Sequence, residues 1–403
     1  MRVPQFAQTL RDVAKGGKEA FYKGRIAASI ASTVQALGGW LTEEDLSDHL
    51  SRGGSEEVDP IAYHYAPQGE AGVELVEHPP NGQGLTALIA LGLVDAMQEE
   101  GLVPDLSTLV PNSVEWLHVV IEALRLAFAD ARQYIADPAH TRVPVPELLS
   151  KPYLRRRVRE HFDPQKASAD VQHGSPEQSC DTVYFTVSDK WGNAASFINS
   201  VYTGFGSGIV AKDCGFALQN RGAGFMLHNS HPNCVAPSKR PYHTIIPAMV
   251  LRPRAGPDGG RELFMSYGVM GAWMQPQGHL QVLLNILHAH NTPQAALDAP
   301  RLCIGPGIPR GLGGPVDSRV WVEEGISDHV VEQLKQLGHD VRQLKGFTRS
   351  MFGRGQVIMR LRHSDLAPLA HGETASAGSE GHEPLVWAAG SDQRGDGQAT
   401  AQV

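Results

Sequence analysis

Residues 181–200 read DTVYFTVSDKWGNAASFINS, and this stretch decides the fold class. Thr182 to Thr186 and Ala194 to Ile198 are dense in β-branched and aromatic side chains, with Gly192 between them, so two strands are expected here. Just before them the texture is loop-like, SPEQS at 175–179. Toward the C-terminus further strands are expected at Ile209 to Ala211, His243 to Leu251, Leu263 to Tyr267, Val320 to Glu323 and Gln356 to Leu361. Helices are expected from His279 to Ala289 and from Asp328 to Leu337, the second stopped by Gly338.

Upstream of residue 180 the reading is mainly helical. Ala7 to Phe21 and Ile26 to Leu37 carry helix formers, and Gly38-Gly39 stops the second. Thr42-Glu43-Glu44-Asp45 reads as a capping box. Val73 to Val76 is a short strand, broken by Pro79-Pro80-Asn81-Gly82 ahead of an apolar helix from Leu85 to Met97. In the helix from Ser113 to Ile135, capped by Asn112 with Glu115, Leu117, Val120, Leu124 and Phe128 recur at helical spacing and mark a core face. Residues 366–403 are Gly/Ala/Ser-rich without periodicity and are expected to form a disordered tail.

Composition narrows the function classes. Thirty-five Lys+Arg against 43 Asp+Glu leave a net charge of −8, which gives no positive field for nucleic acid. The basic run Arg155, Arg156, Arg157 and Arg159 reads as a solvated helix face. No apolar run reaches the ~18 residues needed to span a bilayer, and residues 1–20 contain no apolar signal core. A cytoplasmic setting is slightly favoured. Four scattered cysteines, Cys180, Cys214, Cys234 and Cys303, read as free thiols, not zinc ligands. His288-Ala289-His290 has the wrong helical spacing for a metal pair, and neither metal nor organic cofactor is expected.

Motifs that announce chemistry on their own are missing: there is no G-x-S-x-G, no phosphate-binding glycine loop and no H-E-x-x-H. From Thr182 to about Arg301, however, the chain resembles the small subunit of the γ-glutamyltransferases (glutathione hydrolases), which are N-terminal-nucleophile hydrolases. The stretches that carry the resemblance are residues 181–225, then APSKRPYHTIIPAMVL at 236–251, SYGVMGAW at 266–273 and QAALDAPR at 294–301. LTEEDL, the helix near 113–135 and YIADP are similar to the later part of the family's large subunit. FINS, QNRG and FGRGQVI resemble a divergent glutathione-hydrolase-like branch.

The resemblance implies an α/β fold, a four-layer αββα sandwich, with 1–181 large-subunit-like and 182–365 small-subunit-like. It implies Thr182 as nucleophile, freed by self-cleavage of Asp181–Thr182, with two fragments that stay associated. The new α-amine would have a reference pKa of about 7.7–8.0, so part of it is neutral near pH 7 and can act as general base toward Oγ. The acyl-enzyme would then pass to water or to an amine acceptor. Ser200 falls at a second hydroxyl that bonds the nucleophile. Gly271-Ala272 falls at the oxyanion-hole pair, where only backbone N–H groups are needed and Ala is acceptable if its φ is negative.

Other implied positions depart from the family pattern. His243-Thr244 replaces two serines that hold the substrate α-carboxylate. Gly224 stands in place of an acidic residue, Arg221 in place of Gln and Tyr202 in place of Asn around the α-ammonium. A cation about 4 Å from that ammonium repels it by about 4 kcal/mol at an effective dielectric of 20. The resemblance therefore implies cleavage of γ-glutamyl amides such as glutathione, with two alternatives. One is an acylase for a dicarboxylic or other ammonium-free acyl group, and the other is a catalytically silent scaffold. The resemblance starts partway through the family's large subunit, so no residue here matches its carboxylate-clamping arginine, and exposed sheet surface is expected.

Overall fold

The structure, a computed structural model, describes residues 2–67, 72–168, 180–254, 259–304, 319–362 and 386–401. The expected SPEQS loop lies outside the described residues. The chain divides into two compact units, residues 1–59 with 200–223, and residues 60–199 with 224–403.

The first unit carries α1 (Pro4–Tyr22), α2 (Arg25–Ala36) and α3 (Glu43–Ser51). The capping box of α3 forms as read: Thr42 Oγ1 accepts from the Asp45 amide, and the Asp45 carboxylate accepts from the Thr42 amide. Ile26, Ile30, Ala211 and Cys214 form its small core. Residues 209–211 are not a strand; one isolated bridge joins Val210 to Ala217.

The second unit begins with β1 (Ile61–Tyr65) and β2 (Val73–Glu77), then α4 (Gly84–Glu99), α5 (Val114–Tyr134), α6 (Val145–Leu148) and α7 (Lys151–His161). Helix α4 is apolar all round and buried along nearly its whole length, as such a composition requires. Ser113, not Asn112, caps α5, its hydroxyl accepting from the Trp116 amide at 3.3 Å. The basic run lies on α7 as an ion-pairing face: Arg155 and Arg159 reach Glu99 and Glu100, and Arg157 reaches Asp130.

Next come β3 (Cys180–Ser188), β4 (Ala194–Thr203), β5 (Ala248–Pro253) and β6 (Arg261–Met270), then α8 (Met274–Leu287) and α9 (Pro293–Asp298). The chain continues through β7 (Leu302–Ile304), β8 (Val320–Glu323), α10 (Asp328–Gln336), β9 (Val341–Leu344), β10 (Arg354–Leu361) and β11 (Val386–Ser391). A six-stranded sheet runs in the order β1-β2-β5-β6-β10-β11, with antiparallel pairing throughout. β3 and β4 pair with each other, and β7, β8 and β9 form a small third sheet.

The period-two alternation of β6 shows the layering. Val269 meets Gly278 of α8, and the Tyr267 hydroxyl donates to the His279 carbonyl at 3.2 Å, so the odd residues face α8. The even residues face β3: Ser266 and Thr186 share a 2.6 Å hydrogen bond, and the Tyr184 ring lies over Gly268, where any Cβ would strike it at 2.5 Å. The opposite face of β3 and β4 leaves Val183, Phe185, Val187 and Phe197 exposed, with Phe185 and Phe197 stacked at 4.8 Å.

The expected disordered tail needs correction over 386–401. β11 pairs along β10, and Asp392 and Arg394 enter a buried charge cluster. Arg301 meets Asp392 at 2.7 Å, and Arg394 meets both Asp392, at 3.0 Å, and Glu323. Polar composition hid this segment because charge pairing holds it more than apolar burial. Residues 366–385 lie outside the described residues.

Candidate active site

The hairpin that carries Thr182 is built by its own turn. Asp189 accepts from the amides of Trp191 and Asn193, both at 2.9 Å, and from Asn193 Nδ2 at 2.8 Å, while Gly192 takes φ +93°. Those donors, the Asn193 side chain first, hold the Asp189 carboxyl below its usual range. With the turn fixed, Thr186 and Tyr184 are anchored on Ser266 and Gly268. Thr182 lies two residues before Tyr184 on the same face of β3, as Met270 lies two residues after Gly268 on β6 and next to Gly271. Thr182 is buried, and the Asp181–Thr182 bond lies inside β3.

Residues 271–274 form a tight turn. The Gly271 carbonyl accepts from the Met274 amide at 2.8 Å; Ala272 has φ +49°, and Trp273 follows at φ −70°, ψ −13°. This is the pattern of a type II′ turn, whose second position belongs to glycine. The condition set for Ala272, a negative φ, is therefore not met. Because the trans peptide is planar, turning the Gly271 carbonyl inward points the Ala272 N–H outward.

The other positions of this unit gather around the same turn. The Gln83 amide donates at 2.8 Å to both the Thr244 and the Ala272 carbonyl. Ile246 N–H donates to Gln275 on α8 at 3.2 Å. Residues 243–247 are thus bound to α4 and α8, and β5 starts only at Ala248. His243 Nδ1 accepts from the Ile245 amide at 3.2 Å, which fixes the imidazole plane. Gly224 lies against this segment: a Cβ there would sit 2.8 Å from the Tyr242 carbonyl oxygen, and its own carbonyl accepts from Asn233 at 2.7 Å.

Ser200, Tyr202 and Arg221 belong to the first unit. Ser200 Oγ accepts from the Tyr202 amide at 2.9 Å, and Tyr202 takes φ +82°. The Arg221 guanidinium stacks 3.8 Å from the centre of the Tyr202 ring, so these two candidates form one cation–π pair.

Sequence reading missed Gln83. Gln83 follows a Pro-Pro-Asn-Gly turn, and no motif marks it. Among the described residues one group has metal-ligand spacing, His118, Glu122 and His339, all buried. Two of its three members are engaged: His118 Nε2 donates to the Asp163 carbonyl, His339 Nε2 donates to His118 Nδ1, both at 2.8 Å, and Arg125 holds Glu122, while His339 Nδ1 has no hydrogen-bond partner among the described residues. It reads as a structural network.

The gamma-glutamyltranspeptidase profile matches residues 1–402. The chain belongs to the gamma-glutamyltranspeptidase family. It is 33% identical over 335 residues to the glutathione hydrolase-like YwrD proenzyme of Bacillus subtilis, covering 83% of this chain and 58% of that protein. It is 33% identical over 357 residues to the oxamate amidohydrolase proenzyme of Klebsiella pneumoniae, covering 89% of this chain and 61% of that one. The crystal structure of cephalosporin acylase from Bacillus halodurans superposes with a TM-score of 0.75 at 34% identity, covering all of this chain and 63% of that one. The chain thus spans about three-fifths of the length of these relatives, and it shares the α/β fold of an N-terminal-nucleophile acylase.

Proposed function

We propose that this chain is the catalytic portion of a self-processing threonine amidohydrolase, with an acyl group that carries a carboxylate but no α-ammonium. The observation that supports the chemistry is the packing of the β3 face that carries Thr182: Tyr184 and Thr186 on that face meet Gly268 and Ser266 of β6, the strand that ends just before Gly271-Ala272. Attack by Thr182 Oγ on the preceding carbonyl shifts the acyl chain from N to O, and water releases residues 1–181 with a new amine on Thr182. That amine then takes the Oγ proton when a substrate amide is attacked. The outward Ala272 amide is the donor assigned to the resulting oxyanion on this reading.

Gly224 supports the ammonium-free acyl group over γ-glutamyl. The Tyr242 carbonyl occupies the space that an acidic side chain would need there, so the position lacks the anionic partner of an α-ammonium. A relative named as an oxamate amidohydrolase supports this reading, since the acyl group of oxamate carries a carboxylate and no ammonium.

Intact-mass measurement tests the chemistry. The wild-type chain is expected to yield two fragments cut before Thr182, and Thr182→Ala a single uncut one. A wild-type chain that stays whole after long incubation favours the silent scaffold. For the acyl group, glutaryl anilide should turn over faster than γ-glutamyl anilide; equal or faster γ-glutamyl turnover sinks the preference.

A further inference from the structure

Gln83 is fully buried at the start of α4, and its side-chain amide is saturated. Its two Nε2 protons go to two carbonyls from different segments, Thr244 and Ala272, each at 2.8 Å. Its Oε1 accepts from the Tyr242 hydroxyl at 3.2 Å, and its backbone amide donates to the His243 carbonyl at 2.9 Å. Asn81, two residues earlier, accepts from the His243 amide and donates its side chain to the Pro241 carbonyl at 2.5 Å. One residue therefore fixes the distance between the 241–244 segment and the 271–272 turn. Only an amide of this length does so: a carboxylate has no protons for the two carbonyls, and Asn is one methylene short.

We propose that Gln83 is a positioning residue that sets the oxyanion-binding turn against the acyl-binding segment; its catalytic consequence rests on the function proposed above. It touches neither reacting atom. Its influence runs through the Ala272 carbonyl, which shares a peptide plane with the Trp273 amide, and through Thr244. A displacement of about 1 Å at such a turn typically costs about 100-fold in rate.

The test uses the full 403-residue chain and its Gln83→Glu and Gln83→Met variants. Glu keeps the shape and reverses the polarity toward both carbonyls, and Met keeps the length without hydrogen bonds, so one serves if the other does not fold. Amide hydrogen exchange is read at His243, whose amide in the 241–244 segment is held by the Asn81 carbonyl, and at Met274, whose amide closes the 271–274 turn. Exchange should rise by 10-fold or more at both in the folded variant; unchanged exchange at either overturns the clamp. With glutaryl anilide, kcat should fall about 100-fold with KM moving less than threefold. A folded variant within threefold of wild-type kcat overturns the positioning role. Wild-type chain without turnover counts against the proposed function alone, since the exchange measurement still decides whether Gln83 clamps both segments.

Discussion

At Ala272 a side chain occupies a backbone conformation suited to glycine. The left-handed region costs an L-residue about 1–2 kcal/mol, while replacement by Gly returns up to about 1 kcal/mol of unfolded-chain entropy. Ala272→Gly should therefore stabilise the chain by up to about 1 kcal/mol. The urea midpoint should rise at constant slope; a lower midpoint means the turn has another conformation. The neighbouring Gly271 has no such latitude, because its φ is +139° and a Cβ there would lie within 3.2 Å of Met274 and Gly353.

Among the elements, β11 makes the sharpest claim on stability. Asp392 accepts from Arg301, Arg394 and the Gly355 amide, all in a buried setting. Asp392→Ala would leave two guanidiniums without that carboxylate, and a loss of about 3–5 kcal/mol is expected on chemical denaturation. A loss under about 1 kcal/mol would show that strand pairing alone holds β11. The sequence carried the long helices and the hairpin well, because α4 and α5 are strongly patterned and the turn at Asp189 to Asn193 is locally determined. It could not show β11, whose partners Arg301 and Glu323 lie far away in the chain. Nor could it show that 243–247 leaves the ladder, because those residues are strand formers whose hydrogen bonds go to Gln83 and Gln275. Of the candidate site, resemblance nominated Thr182 and the 271–272 pair. Gln83 was not nominated, since an isolated glutamine beside a turn has no sequence signature.

For the whole molecule, acid sensitivity follows from buried histidines. Burial, with Arg125 and His118 adding to it, pushes His339 down to about 2, and burial pushes His288 down to about 4. Each is neutral when folded and takes a proton on unfolding below its ordinary pKa of 6.5. The unfolded state then binds more protons, so stability falls as pH drops below about 6.5, by roughly 2 kcal/mol for the two together at about pH 5.5. Asp392 works further down: burial raises its pKa, but Arg301 and Arg394 outweigh that and hold it low. Its contribution is complete above the ordinary value of 3.8 and fades as pH falls through the lower folded pKa. Urea titrations at about pH 7 and 5.5 should show the first loss, and His339→Gln should flatten it; a pH-independent midpoint would count against buried neutral imidazoles.

The contact at Gly224 also has a historical reading. What stands where a side chain would go is the main-chain oxygen of Tyr242, whose segment is tied to Asn81, Gln83 and Gln275. A rotamer change cannot clear it. Installing an acid by the single change Gly224→Asp should therefore weaken the fold without conferring γ-glutamyl preference. On the acyl preference proposed above, a return to γ-glutamyl would need several coordinated substitutions and not one, so the contact would act as a ratchet.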